Sequence, residues 1–107
     1  MAGVSPRDEP FAAQLRRVRE ARGISRSTLS RRTARVGDQG ISNDTITRLE
    51  LDHSRRPEDR TILMLGEALE ATDEEFPAYA LAKARSRFDE HVQGFAAAWR
   101  NLGQLRS

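Results

Sequence analysis

The residues with the most specific chemistry to offer lie between Ser42 and Arg48. Ser42, Asn43, Asp44, Thr45, Thr47 and Arg48 set short polar groups and one guanidinium around the apolar pair Ile46 and Leu49. An Asn amide presents a donor and an acceptor side by side, which fits the edge of adenine. An Arg fork fits O6 and N7 of guanine, and a carboxylate can accept from N4 of cytosine. The same residue types also occur on ordinary solvated helix faces. Enzymatic chemistry has less support. The absence of cysteine removes disulfides, thiolate metal sites and cysteine nucleophiles together. His53 and His91 lie far apart, and nothing arranges Ser, His and Asp as a nucleophile and its base. No His-x-x-x-His or acidic metal loop occurs, and Gly37 and Gly40 lack the following Lys-Ser/Thr of a P-loop. No catalysis, metal or cofactor is expected.

Charge adds a second signal. The net +2 conceals a basic block, with eleven Arg against five Asp or Glu between Gln14 and Pro57, followed by six bases against nine acids from Glu58 to Ser107. Such asymmetry suits a chain that meets a polyanion on one face and does other work with the rest. Every base but Lys83 is Arg, the residue that pairs bidentately with phosphate and guanine, although a GC-rich genome gives the same bias.

These side chains need elements to hold them. At 107 residues, 37% hydrophobic and 32% charged, the chain has room for one domain with a small core, to which a partner subunit can add buried surface. Met1 to Pro6 reads as a tail. Asp8 can cap a first helix with Pro10 in its first turn, and Phe11, Leu15 and Val18 give that helix an apolar face. Gly23 stops it. Ser25 can cap a second helix running through Leu29 to about Arg35, and Ser42 a short third one that turns Ile46 and Leu49 inward. Between them, Val36 to Gly40 is polar and contains two glycines. Leu51 to Pro57 is a basic loop. A fourth helix from about Glu58 carries Ile62, Leu65 and Leu69, and Thr72 with Glu75 has the spacing of a capping box. The longest helical stretch runs from Ala78 to about Leu105. With no strand pattern and no repeat, the fold class is all-α.

Several motifs then fall in one order. Gly23-Ile24-Ser25-Arg26, Leu29-Ser30, Gly40-Ile41-Ser42, Ile46-Thr47-Arg48-Leu49-Glu50 and Arg56-Pro57 resemble the Cro and lambda-repressor-like (XRE) family over a little more than half of the chain. The resemblance implies a four- to five-helix helix-turn-helix DNA-binding domain over residues 8–72, followed by a long C-terminal helical segment over 73–107. It places base contacts at Asn43, Asp44 and Arg48 with Thr47 nearby, and phosphate contacts at Arg26, His53, Ser54, Arg55 and Arg56; Ser42, with the free amides at the start of its helix, can hold another phosphate. It also implies a structural ion pair between Arg19 and Glu50, partly buried and fixing the third helix to the first. Two departures stand out: the turn around Val36 to Gln39 is longer than usual, and Leu51 replaces the glycine that commonly follows the Glu.

Beyond that region Phe88, Val92, Phe95, Trp99 and Leu102 follow a four-three-four-three rhythm, the seam of a helix that packs on another helix. Dimerisation fits it, since helix-turn-helix proteins commonly bind two half-sites as two-fold dimers; folding back on the core of the same chain is the alternative. The expected protein is a cytoplasmic, nucleoid-associated transcriptional regulator, read as a repressor, that binds double-stranded DNA as a homodimer and has no membrane segment. Two rivals stay open: an antitoxin-type regulator whose C-terminal helix holds another protein, and an interaction module that has lost DNA binding.

Overall fold

The computed structural model describes residues 9–37 and 39–88. Asp8 and the seam residues Val92, Phe95, Trp99 and Leu102 lie outside the described residues. Four helices are bounded as α1 (Phe11–Ala21), α2 (Arg26–Val36), α3 (Asn43–Leu51) and α4 (Asp59–Ala68). A fifth, α5, starts at residue 77 and is helical to 88 within the described span.

The boundaries follow local chemistry. Pro10 is not inside the first turn of α1 but is its N-cap, with extended backbone, and its carbonyl accepts from the amides of Ala13 and Gln14. A residue with no N–H loses nothing there. Gly23 ends α1 at φ +66°, its amide donating to Glu20 O and that of Ile24 to Arg19 O. This left-handed C-terminal turn is open to glycine without the Cβ penalty. The Ser25 and Ser42 hydroxyls accept from the amides of Thr28 and Thr45, each at 3.1 Å, as their positions predict. Thr72 and Glu75 form their reciprocal capping box. It closes one turn, after which Phe76 O caps α5 and Pro77 occupies that helix's first position.

One core collects the apolar faces. Leu15, Leu29, Ile46, Leu49, Leu65, Leu69 and Phe76 are all fully buried, with Val18 and Ile62 beside them. Helix α3 packs against α1 and α2, and α2 against α4. Phe76, Tyr79 and Ala82 belong to the same core, so the start of α5 closes it. Phe11 and Phe76 stack with centroids 5.7 Å apart, and Lys83 Nζ lies 4.6 Å from the centre of the Tyr79 ring. Buried Gln14 joins the two ends of this layer, donating to Glu9 O and accepting from the Ala78 amide, each at 2.9 Å.

Two arginines of α1 tie down the segment between α4 and α5. Arg22 donates to Leu69 O and Glu70 O and forks onto both carboxylate oxygens of Glu75. Arg17 reaches Glu75 O at 2.7 Å. The Arg22 guanidinium, helped by the Thr72 amide, holds the Glu75 carboxyl down at about 2 against an ordinary 4.5. Because the folded value is depressed, this stabilisation is complete above 4.5 and is lost as pH falls toward 2. Glu75→Gln should therefore lower the urea midpoint at neutral pH and flatten its decline between pH 4.5 and 2; an unchanged acid limb would show that the clamp contributes nothing.

Candidate nucleic-acid interface

The turn between α2 and α3 sets how the third helix is presented. Its last residues are bonded back to α2. The Thr33 hydroxyl, fully buried, accepts from the Ile41 amide at 2.8 Å and donates to Ser30 O at 2.6 Å. The Ser30 hydroxyl donates to Ile41 O at 2.6 Å. Both backbone groups of Ile41 are thereby held by α2 just before α3 begins. Gly40 allows the close approach: a Cβ there would sit 2.9 Å from Ala34 Cα.

At the other end, Glu50 anchors α3 from inside. Its side chain is fully enclosed, and Arg19 reaches it with two parallel bonds, Nε to Oε2 at 2.6 Å and Nη2 to Oε1 at 2.9 Å. The remaining Arg19 nitrogen donates to Ile24 O at 2.9 Å. Hydrogen bonding to Glu50 raises the Arg19 guanidinium above its ordinary value. Arg26 adds a third element to the cluster, its Nε donating to Glu50 Oε1 at 3.2 Å. One buried carboxylate thus joins α1, α2 and α3. The contribution of Arg26 carries no local signal in the sequence, since it arises only when the start of α2 crosses the end of α3.

With Ile46, Leu49 and Glu50 turned inward, the outer face of α3 presents Asn43, Asp44 and Arg48 exposed and Thr47 half-buried. The Asn43 amide nitrogen donates to Ser27 Oγ at 3.2 Å, which brings the starts of α2 and α3 side by side. Thr47 donates to Asn43 O within its own helix. Ser42 is exposed at the cap, beside the first free amides of α3. His53, Ser54, Arg55 and Arg56 are exposed on the loop after α3. They stand at the opposite end of that helix from Ser42, about 13 Å away at 1.5 Å per residue. A turn orders this loop: Asp52 accepts from both the amide and the hydroxyl of Ser54, at 3.0 and 2.6 Å, which lowers the Asp52 carboxyl below its ordinary range.

The arginines of the basic block divide into two groups. Arg16, Arg17, Arg19, Arg22 and Arg26 are paired with carboxylates. Among the described residues Arg31, Arg32, Arg35, Arg48, Arg55 and Arg56 have no carboxylate within 4.0 Å. Helix α1 is therefore neutralised by its own partners, and the uncompensated positive charge of the basic block lies on α2, on α3 and on the loop that follows.

Two short helices held at a fixed turn, the second with its core side locked and its outer side polar and basic, define a helix-turn-helix protein. The family model for the helix-turn-helix domain matches residues 10–78, and the chain belongs to that family, in agreement with the Cro and lambda-repressor-like motifs. No curated protein and no solved structure matches the chain. Among the described residues no helix is long and apolar enough to cross a membrane, and no group of three side chains could hold a metal ion.

Proposed function

We propose that this chain is a sequence-specific transcriptional regulator, acting as a repressor, that binds a near-palindromic operator as a two-fold dimer with α3 in the major groove. The observation that carries the reading is that, within the basic block, the arginines with no carboxylate partner among the described residues lie on α2, α3 and the loop that follows, around an exposed Asn43, Asp44 and Arg48. In this reading Arg48 takes a guanine, Asn43 an adenine and Asp44 a cytosine amine, with Thr47 beside them. Ser42 with the amides after it, and His53, Ser54, Arg55 and Arg56, hold phosphates at the two ends of the helix. Arg26 has its Nε on Glu50, so it offers a phosphate only its outer nitrogens. The C-terminal segment over residues 73–107 serves dimerisation, spacing two half-sites by about one helical turn or a multiple. The protein works in the cytoplasm, on the nucleoid.

A split between two variants tests the assignment of roles. Arg48→Ala should cost about 1–3 kcal/mol of discrimination at one base position, whereas Arg56→Ala should weaken all duplexes alike and reduce the salt slope by about 1. Titrations of matched and scrambled duplexes at several salt concentrations read both. If the two variants behave alike, α3 is not the reading element. The interaction-module reading rests on exposed Phe88 and on Asp44, a carboxylate on the face offered to DNA; it predicts no sequence preference at all.

A further inference from the structure

Helix α2 divides its surface three ways. Leu29 and Thr33 are buried in the core. Ser30 and Ala34 face the turn, the first bonded to Ile41 O and the second set against Gly40. The third side carries Arg31 and Arg35, both exposed, with half-buried Thr28 and Arg32 at its margin. None of the base and phosphate contacts assigned above involves these three arginines. Among the described residues no carboxylate lies within 4.0 Å of any of them. Asp38, the one acid between Arg26 and Ser42, lies outside the described residues; a single carboxylate against three guanidiniums leaves this side positive.

Register ties this side to the reading face. Ser27, Arg31 and Arg35 follow one another at steps of four, and Ser27 accepts from the Asn43 side chain at the start of α3. The stripe therefore begins beside the face offered to the major groove and runs about 12 Å along α2, at about 1.5 Å per residue. Each step of four also rotates it by about 40°, away from the side held by the turn. It carries no apolar side chain. Interfaces with folded proteins are built around buried aromatic or aliphatic anchors, whereas a row of guanidiniums without one suits a phosphate backbone.

We propose that this stripe holds the backbone of the duplex flanking the half-site, and that the DNA curves toward α2 to meet it. This contact presupposes the functional reading above and lies outside the half-site that α3 reads. A straight duplex seated on α3 meets Ser27 and passes Arg35 by, because the stripe winds away from it. Curvature brings both arginines onto phosphates, and the added contacts offset the cost of bending. Easily bent flanks are then preferred at positions no side chain touches.

The test uses the full chain and two duplexes. One is trimmed to the motif that selection enriches; the other carries about one further helical turn, roughly 10 base pairs, on each side. Arg31→Gln combined with Arg35→Gln removes two exposed charges and nearly preserves helix propensity. On the trimmed duplex this variant should bind within about twofold of wild type. On the long duplex it should lose about 2 from the slope of log affinity against log salt, and energy transfer between end labels should report a straighter duplex. Arg31→Lys with Arg35→Lys should keep both the slope and the bend. The proposal is overturned if the wild-type chain gains nothing from the flanks, if the Gln variant loses as much on the trimmed duplex as on the long one, or if the bend persists without the arginines. A chain that enriches a motif yet fails this comparison keeps its function and loses the flanking contact. A chain that enriches no motif loses the functional reading, and the flanking contact with it.

Discussion

Replacing Glu50 with Ala should lower the melting temperature by about 10 °C or more, while Asp44→Ala, near the start of the same helix, should leave it nearly unchanged. Both substitutions remove a carboxylate from α3; only one removes it from an enclosed site. Glu50 is 2% exposed and receives bonds from Arg19 and Arg26, whereas Asp44 is exposed. Breaking a buried ion pair by deleting one partner costs about 3–5 kcal/mol, because the remaining charge keeps its desolvation cost and loses its compensation. Here Arg19, only 12% exposed, is the guanidinium left without its partner, while Arg26, 31% exposed, keeps access to water. In a domain of this size each kcal/mol is worth about 4–8 °C. DNA affinity should fall as well, although Glu50 faces the core, because the angle of α3 depends on it. Thermal denaturation of the two variants side by side is the measurement; superimposable curves would show that the cluster is not what fixes α3.

Gly66→Ala should cost about 3 kcal/mol, the upper end of the range for an overpacked core. On helix propensity alone the change should stabilise α4 by about 1 kcal/mol, so the outcome is a contest between two effects of opposite sign. The geometry decides it. A Cβ on Gly66 would lie 2.2 Å from Tyr79 Cδ1 and 2.3 Å from its Cγ. The ring has little room to retreat, since it is 8% exposed and packs against Phe76 with centroids 6.1 Å apart. The start of α5 must lift away from α4 to admit the methyl group. In a Tyr79→Ala background the clash is gone, and Gly66→Ala should then become neutral or mildly stabilising. Urea unfolding of the four members of this cycle checks it; a penalty that persists without the Tyr79 ring would place the strain elsewhere.

These two cases also mark where sequence reading stops. Caps and helix stops rest on neighbouring residues, so Gly23, Ser25, Ser42 and the Thr72–Glu75 box were legible from local chemistry. The inward faces of α1, α3 and α4 followed from spacing alone. Arg19 and Glu50 are 31 residues apart and became legible only through the family resemblance. What lay beyond reach shares one physical feature: contacts between segments distant along the chain, with no signature in either segment. Thr33 and Ser30 look like ordinary polar residues of α2 until the turn returns Ile41 to them. Arg22 reads as one more base in the basic block, yet it is spent on a carboxylate 53 residues away. Tyr79 on Gly66 is of the same kind. For the interface, the residue types on α3 pointed to base edges, but only the pairing pattern separates arginines free to meet a polyanion from those already neutralised.

Selection of random DNA duplexes on the purified chain, run beside an Asn43→Ala, Arg48→Ala double variant, tests the central claim most directly. Reading DNA as a dimer through α3 predicts a near-palindromic motif from the wild-type chain that the double variant fails to enrich. Retention without an enriched motif, disappearing at moderate salt, would reduce the interaction to counterion release and contradict the assignment of α3 as a reading helix.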